Sequence, residues 1–241
     1  MKLLRLFALL SSMLLMFRAN AELIIHVSPI PPYVLDGPRR GIACDIIEQA
    51  FATQSVKIKF VISNNKRMEI EVQNGTADAG FAGIPADSEH VYFSDPVIEF
   101  DNIAVTLSNR NLHLNRIMDL ANKRVIAFRN AQRVLGPEFA KAAQGNPLYI
   151  EVGDQRSQLP MLEAGRGDVI VMDRRAFLYF AYLLHGKKTA LEEYTVHPIF
   201  KPLPRTIGFK QIATRDLFNK GLKTIRDNGI YTIIVRSYLS D

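Results

Sequence analysis

The chain has 241 residues, 48% of them hydrophobic and 22% charged, a net charge of +6, and a single cysteine. This is ordinary globular composition, which excludes a disordered or low-complexity chain, and the length corresponds to one or two domains. The basic surplus is mild and scattered, which excludes the charge footprint of a nucleic-acid binder.

The first 21 residues read separately from the rest. Lys2 and Arg5 precede a mostly apolar stretch from Leu3 to Phe17, and Ala19-Asn20-Ala21 gives the small-x-small pattern of a signal-peptidase site. The stretch is shorter than the roughly 20 apolar residues that span a bilayer, and Arg18 interrupts its end. The expectation is a secretory signal peptide over residues 1–21, cleaved before Glu22, and a periplasmic mature chain of net charge +3 (27 basic and 24 acidic residues). An exported chain with one cysteine forms no internal disulfide. Cys44 lies in Ile42-Ala43-Cys44-Asp45-Ile46-Ile47, which reads as core rather than as a nucleophile's setting.

Strand-like and helix-like runs then alternate. Leu23–Val27 reads as a strand and 43–53 as a helix, with Ile46, Ile47, Ala50 and Phe51 on one face. A strand over Lys57–Ile62, a short polar helix over 65–74, a small-residue strand over Ala77–Gly83 and a strand over Asn102–Leu107 follow. The pattern restarts with strands at Arg124–Phe128, Leu148–Val152 and Asp168–Met172, separated by helices at 132–144 and 155–164, and then a helix at 174–185. A strand at Thr206–Phe209 and two helices divided by Asn228-Gly229 close the chain. Such alternation implies an α/β fold with mostly parallel sheets. One internal echo supports two lobes on a common plan: helix, glycine, two residues, aspartate, strand, at Gly75–Asp78 and again at Gly165–Asp168.

Several segments resemble the type II periplasmic solute-binding proteins of the amino-acid-binding group, the bacterial extracellular solute-binding proteins of family three. Pro31-Pro32-Tyr33 with Gly41 and Asp45 is similar to the family's opening, and Phe93-Ser94-Asp95-Pro96 to its Phe-Ser-Asp-Pro. Lys123–Ala127 resembles the strand that opens the second lobe, Gly167–Asp173 that lobe's site strand, and Asn219–Gly229 with Tyr238 the C-terminal signature. The resemblance implies two Rossmann-like lobes joined by a two-strand hinge: residues 22–102 and 205–241 in lobe 1, residues 103–204 in lobe 2. It implies a monomeric receptor that closes around a small polar solute, an amino acid or similar, and serves an inner-membrane ABC permease, with no metal or cofactor and no enzymatic activity.

The resemblance also nominates ligand-binding residues: Tyr33, Arg67, Gly83, His90, Arg129, Asn130, Ala131 and Asp173. Tyr33 is an apolar wall, and Arg67 and Gly83 belong to the first lobe's side of the cleft. The family usually carries an arginine shortly before Phe-Ser-Asp-Pro; Pro85–Phe93 contains none, and His90 either takes its place or is a surface residue. Arg129-Asn130-Ala131 replaces a Gly-Thr-Thr or Gly-Ser loop whose amides would cradle an anion at a helix start, and Arg129 either supplies the missing cation or faces solvent. Asp173 pairs with a ligand ammonium or caps the helix that follows. Two other functions stay open: a cyclohexadienyl-dehydratase-like enzyme using Asp87 or Glu89 as its acid, and a sensor that presents its closed form to a membrane receptor.

Overall fold

The computed structural model describes residues 22–37, 40–186 and 188–238. The expected signal peptide lies outside the described residues. The chain divides into two units, one holding the residues up to Pro29, Asp36–Val97 and those from Thr206 onward, the other Ile30–Leu35 and Ile98–Arg205.

The first unit is built on the strands Leu23–Val27 (β1), Ile58–Ile62 (β2), Ala79–Phe81 (β3), Tyr92–Phe93 (β4) and, near the C-terminus, Ile207–Phe209 (β12), in the order β2-β1-β3-β12-β4. β1 is parallel to β2 and β3, whereas β12 runs antiparallel to β3 and β4. Helix α1 (Ile42–Ala52) buries Ile42, Ile46, Ile47, Ala50 and Phe51 completely, the face that the 3.6-residue period marks out. It packs against α7 (Ile212–Asp227), whose Phe218 lies 5.3 Å from the Phe51 ring and 5.6 Å from that of Phe209. Cys44 is buried on α1, and burial pushes its thiol up to about 12, so it is an inert core residue. Helix α2 (Asn65–Asn74) starts with the Asn64 side chain accepting from the Arg67 amide and ends with Gly75 at φ 81°. Helix α8 (Ile230–Ser237) follows α7.

The second unit has the strands Asn102–Leu107 (β6), Val125–Phe128 (β7), Ile150–Val152 (β8), Val169–Asp173 (β9) and Tyr194–His197 (β10), in the order β10-β6-β9-β7-β8. Alternate residues of its central strands feed opposite faces, as a period of two requires. Ile103, Val105, Ile126, Ile170 and Met172 pack with Phe177 and Phe180 of α6 (Arg174–His185), while Ala104, Val125, Ala127, Val169 and Val171 pack with Phe139. Every residue of β9 is buried, which is why that strand reads as a continuous apolar run. A separate antiparallel pair, Ile98–Phe100 (β5) with Leu203–Arg205 (β11), stands where the long segment of this unit begins and ends.

The glycine–aspartate echo is structural. Asp78 Oδ2 accepts from Ile24 N at 2.8 Å, and Asp168 Oδ2 accepts from Arg124 N at 3.0 Å. The return bonds also match, Asp78 N to Ile24 O at 3.0 Å and Asp168 N to Arg124 O at 2.8 Å. Each aspartate thereby ties the start of its own strand to the start of the neighbouring parallel strand, β3 to β1 and β9 to β7. Gly75 and Gly165 supply the left-handed residue before it, at φ 81° and 67°.

The helix expected over 132–144 is two: α3 (Ala131–Val134) and α4 (Pro137–Ala143). Gly136 at φ 88° and Pro137 at the first helical position restart it, since proline is favoured there and not in a helix interior. The helix expected over 155–164 begins with a 3-10 turn, Gln155–Ser157, before α5 (Gln158–Glu163). Among the described residues no helix is long and apolar enough to cross a membrane.

Candidate functional site

In the second unit Tyr33 and Asp173 meet. Residues Ile30–Leu35 form a tight loop in which Ile30 O accepts from Tyr33 N and Val34 N. The loop buries the Tyr33 ring against Phe100, with centroids 4.2 Å apart and planes inclined by 28°. The Tyr33 hydroxyl donates to Asp173 Oδ1 at 2.8 Å. The same oxygen accepts from Arg175 N at 2.8 Å and Ala176 N at 3.1 Å, while Oδ2 accepts from Asp101 N at 2.9 Å. Asp173 is thus the N-cap of α6, and four donors of its own chain engage its carboxylate. Burial still holds it above the usual carboxylate value, against the pull of those donors and of Arg175. Burial, and then the Asp173 charge, raise the Tyr33 hydroxyl, which stays a neutral donor.

Three arginines surround this pair. Arg174 Nε lies 2.5 Å from Asp101 Oδ2. Arg175 Nη1 donates to the Tyr33 hydroxyl at 3.2 Å and to Glu99 O at 3.1 Å. Arg205, at the end of β11, sets its guanidinium 4.5 Å from the Phe100 ring centre.

The loop after β7 carries Arg129, Asn130 and Ala131. Asn130 takes a left-handed conformation, φ 63°, which Asn tolerates better than most side chains. Its amide donates to Glu151 Oε2 at 2.6 Å, and the Gln132 amide donates to Glu151 Oε1 at 3.3 Å. Tyr149 donates to the same Oε1 at 2.7 Å. The amides that the family pattern would offer to an anion therefore hold a carboxylate of the chain itself. Arg129 is exposed and lies across Gly153, where a Cβ would come within 2.4 Å of its Nη2. Ala131 is wholly buried, a packing residue.

Arg67, Gly83 and His90 belong to the first unit. Arg67 Nε pairs with Glu71 Oε1 at 2.8 Å on the surface of α2, and Glu71 Oε2 lies 3.2 Å from Nε2 of the buried His26. Gly83 backs onto the same helix, where an added Cβ would meet Asn65 Oδ1 and Met68 Sδ, each at 2.8 Å. His90 sits apart, exposed and at φ 57°. Asp87 and Glu89 are exposed as well. Sequence reasoning missed Phe100, Glu151, Arg175 and Arg205. Only Arg175 left a signal, its place two residues after Asp173 at a helix start; the others come together through strand pairing.

The sequence profile of the bacterial extracellular solute-binding proteins, family 3, matches residues 23–241. No curated protein shows significant sequence similarity to the chain. Solved structures do resemble it. The GluR0 ligand-binding core in complex with L-glutamate superposes with a TM-score of 0.76 at 17% identity, covering 92% of this chain and 100% of the other. A histidine kinase sensor domain with similarity to periplasmic binding proteins gives 0.71 at 14% identity, covering 91% and 96%. An amino acid ABC transporter substrate-binding protein from Streptococcus pneumoniae, bound to L-arginine, gives 0.68 at 13% identity, covering 92% and 95%. At such identities the likeness shows the fold, which is that of type II periplasmic binding proteins.

Proposed function

We propose, for a chain that belongs to the bacterial extracellular solute-binding proteins of family 3, that it captures an amino acid or similar small polar solute between its two units and passes it to an inner-membrane ABC permease. The observation that carries this reading is the family match over residues 23–241, on a fold shared with structures bound to L-glutamate and L-arginine. In this reading residues 1–21 export the protein to the periplasm and are removed. Arg67, Gly83 and His90 are offered to the solute from the first unit, and Tyr33, Arg129 and Asp173 from the second, while the Asn130 amide is held by Glu151 and Ala131 packs the loop. Tyr33 acts as the wall over Asp173, and Arg129 is the exposed cation at the rim. The solute favours the closed state because only there does it touch both units.

The test is a thermal-shift screen of the mature chain against amino acids, polyamines and small carboxylates. A solute that binds only the folded chain, at about 100 times its Kd, adds about 2.7 kcal/mol. That corresponds to a rise in Tm of roughly 5–11 °C for a chain of this size. A flat melting temperature across the screen would remove the reading. The alternative is a sensor that presents its closed form to a membrane receptor. A pull-down of the solute-loaded protein from membranes distinguishes permease from receptor.

A further inference from the structure

We infer that the end of the second unit at which β7 and β9 begin is a docking surface for an anionic phospholipid membrane. β6 and α6 finish at this end. Leu107 of β6 pairs with Tyr194, the first residue of β10, and His185, the last residue of α6, lies 2.8 Å from Oε1 of Glu163, the last residue of α5. Cations scattered along the sequence converge here. Arg124 Nη1 donates to Gly165 O at 2.7 Å, and its Nη2 pairs with Asp168 Oδ1 at 2.6 Å. Arg110, on the turn Ser108–Arg110 after β6, sets its Nη2 3.7 Å from where a Cβ on Gly165 would stand. Arg166 follows Gly165 and is exposed, and Lys123 precedes Arg124. Among the described residues no ion pair or hydrogen bond engages the side chains of Arg110, Lys123 or Arg166. Of the other acids at this end, Asp119 pairs with Arg116, and Glu163 accepts from Tyr194 and lies against His185. Glu192 and Glu193 are exposed, in a segment that also carries Lys187 and Lys188. The residues 108–124 alone hold four arginines and lysines against one acid. Forked cations with so few carboxylates in reach call for anionic acceptors from outside, which phosphodiester headgroups supply.

The apolar part of the same end selects a bilayer over an acidic protein. Tyr182, Leu183 and Leu184 close α6 at 47%, 58% and 44% exposure. Consecutive helical residues point about 100° apart, so the three crown the end of the helix rather than line one side of it. A protein surface meets one side of a helix, whereas a headgroup layer admits an apolar tip from all sides. The leucines enter the acyl boundary while the guanidinium groups stay with the phosphates. Asp173 and the loop Arg129–Ala131 stand at the opposite ends of β9 and β7, so contact at this end does not cover them. The docking is separate from solute capture and does not depend on it.

The test is co-sedimentation of the mature chain with protein-free vesicles, made of phosphatidylcholine alone or of equimolar phosphatidylcholine and phosphatidylglycerol. The wild type is expected to sediment with the anionic vesicles at low salt, to be released by high salt, and to stay in solution with the neutral ones. Arg110→Glu/Arg166→Glu is expected to lower the partition coefficient about tenfold or more, and Leu183→Ser/Leu184→Ser to lower it as well. Lys57→Glu/Lys59→Glu makes the same change of net charge on exposed residues of the first unit and is expected to bind as the wild type does. Circular dichroism and a cooperative melt check that each variant folds, and the contrast between the two vesicles needs no variant. A wild type that ignores the anionic vesicles overturns the inference. Equal losses in the two charge-reversed proteins, which mean adsorption by net charge alone, overturn it too, as does undiminished binding by the folded leucine variant. Binding to native membranes but not to protein-free vesicles assigns this end to a protein partner, and a dimer broken by Leu183→Ser/Leu184→Ser assigns it to a second copy; either result overturns the inference.

Discussion

His26 and His197 are buried in different units and held neutral by the same cause. His26 is 3% exposed, with Glu71 beside Nε2 and no partner at Nδ1. Burial lowers its pKa below 6.5, with Glu71 opposing and Arg67 assisting. His197 is 6% exposed, with Nε2 3.0 Å from Thr106 Oγ1, and burial followed by the charge of His113 lowers it in the same sense. As pH falls below 6.5, the unfolded chain takes up these protons before the folded chain does, so stability is lost from that point downward. Urea unfolding at about pH 7.5 and about pH 5.5 checks this. The wild type should lose more stability between the two than a His26→Gln/His197→Gln variant, and equal losses would contradict it. At this scale the sequence is least legible. Tyr33 and Asp173 are nameable from their motifs, and the cap reading of Asp173 follows from its place at a strand–helix boundary. That they bond to each other is not readable, because they stand 140 residues apart. Glu151 is hidden for a similar reason: its role depends on β8 lying beside β7.

Among the elements, the packing of α1 against α7 sets the tightest requirement. Gly221 faces α1 so closely that an added Cβ would come within 2.1 Å of the Ala50 carbonyl oxygen and 3.0 Å of Thr53 Oγ1. Gly221→Ala gains helix propensity of about 1 kcal/mol but must push the two backbones apart, and overpacking of this kind costs about 1–3 kcal/mol or more. With backbone rather than a flexible side chain in the way, separation wins. The variant should melt roughly 3–8 °C lower, and an unchanged or higher Tm would show that the helices yield. Long periodic elements are legible: α2, β6 and α6 run over the residues the pattern marks. The two- to four-residue strands β4, β5, β10 and β11 are not, because so short a run has no period of its own and Pro204 lies inside one of them. The division of the 132–144 helix follows from Gly136-Pro137, a left-handed glycine followed by a proline that starts a new helix.

At the scale of the whole molecule, one plan is used twice. Three parallel strands in the order 2-1-3 recur as β2-β1-β3 and β8-β7-β9, each flanked by an antiparallel pair, and the same aspartate fastens each set. The glycine–aspartate echo carries that repeat in the sequence. The long segment of the second unit runs from Ile98 to Arg205, and β5 and β11 pair at its two ends. The proposed capture of a solute requires the two units to close on it. Small-angle X-ray scattering of the mature chain, with and without a saturating solute from the thermal-shift screen, measures that closure directly. A smaller radius of gyration is expected once the solute is bound. A radius that stays the same under saturation would contradict it.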